Sequence, residues 1–262
     1  MRQTYPTDLS DAEWSRLARL IPKPKPGGRP VKYERRRIVN AILYIVRAGC
    51  AWRLLPRDMP PWMIVYHYFR RWKQSGVWQR IHDSLRAVLR ARSGGERQPS
   101  AAILDSQSVK TTNRGGVRGF DAAKKVTGRK RHILVDTLGL LLVVVVHAAD
   151  VQDREGAKQV LGLLATGFRR VRLVWADGGY RGQLVEWVRA LRQRDKLRLE
   201  IVKRSDDVAG FVVLPKRWIV ERTFAWLYRC RRLSKDYEYL TSTSETMIQV
   251  AMINLMLRRL AR

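Results

Sequence analysis

A chain of 262 residues with 45% hydrophobic side chains has the material for one large core or two ordinary ones, which excludes an intrinsically disordered polypeptide. Its 52 Lys and Arg against 23 Asp and Glu leave a formal charge of +29, far beyond what solubility needs, so a polyanionic partner is expected, nucleic acid ahead of an anionic membrane. Residues 1–100 carry 21 basic and 7 acidic side chains, about half of that excess, so the charge is no detachable tail and suits a polyanion contacted along the whole molecule.

Cys50 and Cys230 have no nearby Cys or paired His, so neither a disulfide framework nor a zinc site is indicated, and a reducing cytoplasmic compartment is expected. The first residues, Met1 to Trp14, are polar and acidic where a secretory signal would be basic and then apolar. The longest apolar run, Leu138 to Val146, is far short of a membrane span. No membrane partner is expected.

Ser10 followed by Glu13 predicts a capping box that opens a short helix through Trp14, Leu17 and Ile21, stopped by Pro22, Pro24 and Pro26. A basic Pro/Gly loop follows up to Pro30. Apolar residues at helical spacing, Ile38, Ala41, Ile42 and Ile45, predict a helix from Tyr33 to Ala48, and Val65, Tyr66 and Phe69 predict another from Pro61 to Lys73. The turn between them, Gly49 to Pro60, is longer than that of a tight helix-turn-helix. The second helix carries His67, Arg70, Arg71 and Lys73, which either face a DNA groove or form the solvated face of a small bundle. A further helix, Val77 to Arg92, completes an all-α domain over residues 1–92, and the polar stretch 93–100 reads as a linker.

From residue 101 to 262 the pattern changes. Strands are predicted at 101–109, 131–136 and 140–147, a helix at 154–164, a strand at 171–176, a helix at 180–192, a strand at 198–202 and a helix at 215–230. A last helix, with Ser242 and Glu245 as a second capping box, carries Met247, Ile248, Ala251 and Leu255. The order βββαβαβα is that of an α/β, ribonuclease H-like mixed sheet with flanking helices, in which the first and fourth strands lie side by side.

That order directs attention to three acids. Asp105 sits among the apolar residues of the first strand, Asp177 ends the fourth, and Glu221 lies on the helix after the fifth. A lone carboxylate is costly to bury in a strand, so it is expected to be paired, protonated or bound to a metal, and carboxylate oxygens are the ligands Mg²⁺ or Mn²⁺ prefers. Each acid also has a plainer role open to it: a cap for Asp105, an Asx turn before Gly178-Gly179 for Asp177, a surface ion pair with Arg217 or Arg222 for Glu221. Asp136, Asp150 and Asp153 are read as turn or surface groups.

Four ordered motifs carry a resemblance: Leu104-Asp105-Ser106-Gln107-Ser108-Val109-Lys110, the stretch Gly128 to Gly139, Trp175-Ala176-Asp177-Gly178-Gly179-Tyr180, and Arg217 to Trp226 with Arg231-Arg232-Leu233. Together they resemble the DDE transposases of bacterial insertion sequences, closest to the insertion-sequence-five family, and residues 1–90 resemble its helical N-terminal domain. The resemblance implies that Asp105, Asp177 and Glu221, 72 and 44 residues apart, are the three catalytic and metal-binding acids, holding two Mg²⁺ or Mn²⁺ ions. The related insertion-sequence-four group adds Tyr, Arg, Glu and Lys on the final helix; Arg217 and Glu221 fit, but Leu214 and Tyr228 stand at the other two positions.

The loop after the first strand holds Arg114, Arg118, Lys124, Lys125, Arg129, Lys130 and Arg131 against one acid, Asp121, and is expected to contact the DNA backbone. Arg70, Arg71, Lys73, Lys124, Lys125, Arg129, Lys130, Arg217 and Arg222 are the expected DNA contacts. Trp226, one turn beyond Glu221, is a stacking candidate, although an aromatic at helical spacing is more often core. The function expected is metal-dependent cleavage of double-stranded DNA at terminal inverted repeats, then joining of the freed 3′-hydroxyl to target DNA, by a homo-oligomer assembled on DNA at the nucleoid. The rivals are a non-catalytic repressor on the same scaffold and a nuclease that cuts without joining.

Overall fold

The computed structural model describes residues 4–23, 32–113, 115–191, 197–202 and 216–262. The Pro/Gly loop to Pro30, Arg114, and Leu214 with the expected helix start at Pro215 lie outside them. By its internal contacts the chain divides into two compact units: Met1–Leu89 with Tyr228–Ser234 and Thr246–Arg262, and Arg90–Leu227 with Lys235–Glu245. The first unit's N-terminal stretch ends at Leu89, and 228–234 and 246–262 group with it and not with the sheet.

In the first unit the capping box forms on helix α1 (Asp11–Ala18). The Ser10 hydroxyl accepts from the Glu13 amide, and the Glu13 carboxylate accepts from the Ser10 amide. Helix α2 (Arg35–Ala48) buries Ile38, Ala41, Ile42 and Ile45, the predicted apolar face, and ends on Gly49 at φ 77°. A Cβ there would stand 2.8 Å from that of Arg231, so glycine is required twice over, by conformation and by the approach of 228–234. The connection to helix α3 (Trp62–Gln74) contains a 3-10 turn, Trp52–Leu54. Val65, Phe69 and Trp72 of α3 pack inward beside Trp78 of helix α4 (Val77–Arg92), leaving Met63, Tyr66, His67, Arg70 and Arg71 exposed on one stripe.

The second unit is built on six strands: β1 (Ala101–Lys110), β2 (Gly119–Asp121), β3 (Val126–Val135), β4 (Leu141–Ala148), β5 (Leu173–Ala176) and β6 (Arg198–Ile201). The central order is β3-β1-β5-β6, with β3 antiparallel to β1, β5 parallel to β1, and both β2 and β4 pairing with β3. The expected neighbours, the first strand and the strand ending in Asp177, are therefore adjacent. Strand β3 begins five residues before its predicted start at Arg131, because Arg129 and Lys130, which look like loop residues, are paired strand residues opposite Val109 and Ser108. The short β2 was not expected.

Helices α5 (Asp153–Gly167) and α6 (Gln183–Leu191) cover one face of the sheet. Leu104, Leu134, Val174 and Ala176 meet Leu161, Leu164, Leu184 and Val188 there in one buried cluster. Helix α7 (Arg217–Tyr228) is anchored on the β3–β4 turn: the Thr223 hydroxyl donates to the Gly139 carbonyl at 2.8 Å and Arg222 Nη2 to the Leu138 carbonyl at 3.2 Å. Asp136, expected at a turn or on the surface, makes that turn but is fully buried; it accepts from the Leu138 and Leu140 amides and from Arg90 Nη1. The last helix, α8 (Thr241–Ala261), starts a residue before Ser242, and the Glu245 carboxylate receives the Val146 amide of β4 at 2.9 Å. Among the described residues no helix is long and apolar enough to cross a membrane.

Candidate active site

Side chains alternate along β1, and Leu104 points into the cluster under α5 and α6. Ile103 and Asp105 therefore leave the other face. Ile103 pairs with Trp175 across the parallel β1–β5 ladder, and two residues on from each stand Asp105 and Asp177, so the ladder carries both acids out on one face at the C-terminal end of β5. Asp177 then caps the 3-10 turn Gly178–Tyr180: its Oδ1 accepts from the Gly179 amide at 2.9 Å, the expected Asx role, while Oδ2 lies 3.7 Å from Arg217 Nη2.

Arg217 opens α7 and turns back on that helix as well, its Nε 3.5 Å from Glu221 Oε1. One guanidinium thus stands between Asp177 and Glu221. Asp105 belongs to the same neighbourhood. Burial pushes its carboxyl up to about 6, helped by the negative charge of Asp177 and opposed by the Ser106 amide and the charges of Arg217 and Lys124. Asp177 and Glu221 flank Arg217, and Asp105 lies close enough to feel the charges of Asp177 and Arg217. Among the described residues no three His, Cys, Asp or Glu side chains stand at metal-holding spacing as a ready-made cluster.

Directly behind Asp105, on the other face of β1, lies a polar cluster that the sequence did not disclose. Ser106 Oγ donates to Asp153 Oδ1 at 3.0 Å, and Lys130 Nζ reaches the same oxygen at 3.0 Å. His132, across the ladder from Ser106, stacks on His147 with Nδ1 2.8 Å from His147 Nε2. His147 Nδ1 faces the Ala148 carbonyl at 2.8 Å and so carries the proton there. His147 Nε2 is then the acceptor and His132 Nδ1 the donor. Burial first, and then His147, pushes His132 down to about 3, so the pair is neutral at neutral pH. Asp153, read as a turn or surface group, is instead the hub of this cluster. The available signal was the period-two spacing of Lys130 and His132 in what proves to be a strand.

A family model described as a transposase DDE domain matches residues 96–256. The chain belongs to that family. A second model, described as a putative transposase of the IS4/5 family, matches residues 9–82. The chain is 33% identical over 158 residues to the putative transposase for insertion sequence element IS402 of Burkholderia cepacia, which covers 56% of this chain and 72% of the relative. It is 32% identical over 115 residues, 41% of this chain and 76% of the relative, to the insertion element IS402 uncharacterized 16.2 kDa protein of the same organism. No solved structure matches.

On this DDE-domain transposase the basic residues singled out from the sequence fall into distinct settings. Arg70 and Arg71 are exposed on α3, and Lys73 of the same helix is half-buried. Lys124 and Lys125 are exposed at the β2–β3 turn, where Lys124 Nζ also reaches the Ser106 carbonyl at 3.3 Å. Arg129 and Lys130 are buried. Arg129 donates to the carbonyls of Val117, Glu238 and Tyr239 and pairs with Asp236 at 3.1 Å, while Lys130 holds Asp153 and the Val151 carbonyl; both cations are committed inside the protein and do not face a phosphate. Arg217 stands among the acids. Arg222 lies over the rings of Trp218 and Trp226, 4.4 and 4.7 Å from their centroids, so Trp226 serves as its platform.

Proposed function

We propose that this transposase cuts double-stranded DNA at the ends of an insertion sequence and joins the freed 3′-hydroxyl to target DNA at a single site formed by Asp105, Asp177 and Glu221. The observation that carries the proposal is the gathering of these acids around Arg217 on one sheet face, with the Asp105 carboxyl raised to about 6. A carboxyl raised by burial and by the charge of a second acid is relieved by a cation, and all-oxygen donors suit Mg²⁺ or Mn²⁺. The three carboxylates would hold it, two ions per site being expected. When bound, it polarises the scissile phosphate and makes a water or 3′-hydroxyl a competent nucleophile.

The chain's own residues supply the rest. The Gly179 amide fixes one oxygen of Asp177, and the Thr223 and Arg222 contacts to the β3–β4 turn fix the helix bearing Glu221. Lys124 and Lys125 lie at an exposed turn beside Ser106 and are suited to hold the DNA backbone. In the first step water adds to phosphorus and the 3′-oxygen leaves as a hydroxyl. In the second that hydroxyl attacks a target phosphodiester, releasing a target 3′-hydroxyl.

Residues 1–92 would recognise the terminal inverted repeats through the exposed stripe of α3, residues 93–100 would serve as linker, and 101–262 would carry the chemistry. Assembly as a homo-oligomer on DNA, in the cytoplasm at the nucleoid, completes the proposal. It is tested with DNA bearing the element's ends: metal-dependent nicking abolished by chelation excludes a repressor, and joining of pre-cleaved ends excludes a nuclease that only cuts.

A further inference from the structure

Arg217 is an unusual neighbour for a cation site. Its guanidinium reaches Asp177 Oδ2 at 3.7 Å and Glu221 Oε1 at 3.5 Å, both ion-pair separations longer than a good hydrogen bond. Its Nε is buried without a hydrogen-bond partner. Contrast Arg129, whose guanidinium is locked by three carbonyls and Asp236 at 2.7–3.1 Å. Arg129 is built in; among the described residues Arg217 is held by two long ion pairs, at the start of a helix, with a half-buried side chain.

We propose that Arg217 is the resident counter-ion of the acid site, and that a divalent cation enters by displacing its guanidinium from Asp177 and Glu221. The inference rests on the proposed metal site and adds an opponent to it. The guanidinium and a divalent ion compete for the same two carboxylates, and a positive charge a few ångströms away lowers the affinity for a divalent ion even after the side chain swings aside. The arrangement keeps the acids compensated until metal arrives, so they do not repel one another apart. It also sets a threshold concentration of metal for loading.

The test is Mn²⁺ binding to the full chain without DNA, followed by loss of the free-ion paramagnetic resonance signal, with thermal melts in parallel. Wild type, Arg217→Gln, Arg217→Lys and Asp105→Asn are compared. Removing the charge in Arg217→Gln should tighten Mn²⁺ binding about three- to tenfold and enlarge the rise in Tm that Mn²⁺ produces. Arg217→Lys, which keeps the charge, should bind within about twofold of wild type. Unchanged or weaker binding by Arg217→Gln overturns the proposal. So does equal tightening in Arg217→Lys, because the effect would then come from the guanidinium's shape. Loss of binding in Asp105→Asn is expected throughout; binding indifferent to that change would instead overturn the metal site itself, an outcome separate from the behaviour of Arg217.

Discussion

Ile103 faces Trp175 across the parallel ladder of β1 and β5, and continuing both strands by two residues brings Asp105 and Asp177 out on one side of the sheet. A one-residue slip in that register would send one acid into the apolar cluster under α5 and α6. Leu104 and Val174, buried in that cluster, hold the register, so the hydrophobic core places the two carboxylates.

The position of Asp105 has a measurable cost. Its carboxyl ionises at about 6 in the folded protein against 3.8 in the unfolded chain. The folded state therefore binds the proton more tightly, and ionising Asp105 removes stability as pH rises through this window. The cost is complete above about pH 6 and nearly absent by pH 4. Asp105→Asn should stabilise the metal-free protein by about 1–3 kcal/mol at pH 8 and by little at pH 4, as read from urea unfolding at the two values. A difference independent of pH would show that Asp105 is not held in this way.

Basic residues at the β2–β3 turn and in β3 should behave oppositely. Replacing Lys124 and Lys125 by Ala should weaken binding across DNA sequences and flatten its salt dependence by about two counterions, with little change in Tm. Replacing Arg129 strands three carbonyls and Asp236, and should destabilise the fold by about 3–5 kcal/mol. Changes at the exposed Arg70 and Arg71 should fall hardest on terminal-repeat DNA. Salt titrations and melts of the three variants separate these roles, and an unchanged salt slope in the lysine variant would remove the turn from the DNA contact.

The elements with strong periodicity were legible in the sequence: the Ser10–Glu13 capping box, the buried face of α2, the apolar strands and their order. Arg129 and Lys130 were not, because a basic residue in a strand is recognisable as buried only when its partners are known. Those partners, the carbonyls of Glu238 and Tyr239 and the carboxylate of Asp153, lie far along the chain. Glu221 looked like a surface acid and is indeed exposed beside Arg217. What joins it to Asp177 is the fold of α7 onto the β3–β4 turn, which no local pattern encodes.

Gly156 of α5 offers a sharp test of the histidine pair. Glycine to alanine inside a helix ordinarily stabilises by up to about 1 kcal/mol. Here a Cβ would stand 2.4 Å from His132 Cε1 and 2.6 Å from His147 Nε2, both in a packed interior. Gly156→Ala should therefore lower stability by about 1–3 kcal/mol, the sign itself being the test, read by chemical denaturation.

If one site of three acids performs both DNA steps, Glu221→Gln should disable both at once. The change preserves size and helix propensity at an exposed position, so folding and DNA binding should be retained and stability should move by well under about 1 kcal/mol. With Mg²⁺ and DNA carrying the element's ends, both cleavage of intact ends and joining of pre-cleaved ends should fall together by at least about a hundredfold. Joining at the wild-type rate by the folded, DNA-binding Gln variant would contradict the account and take Glu221 out of the active site.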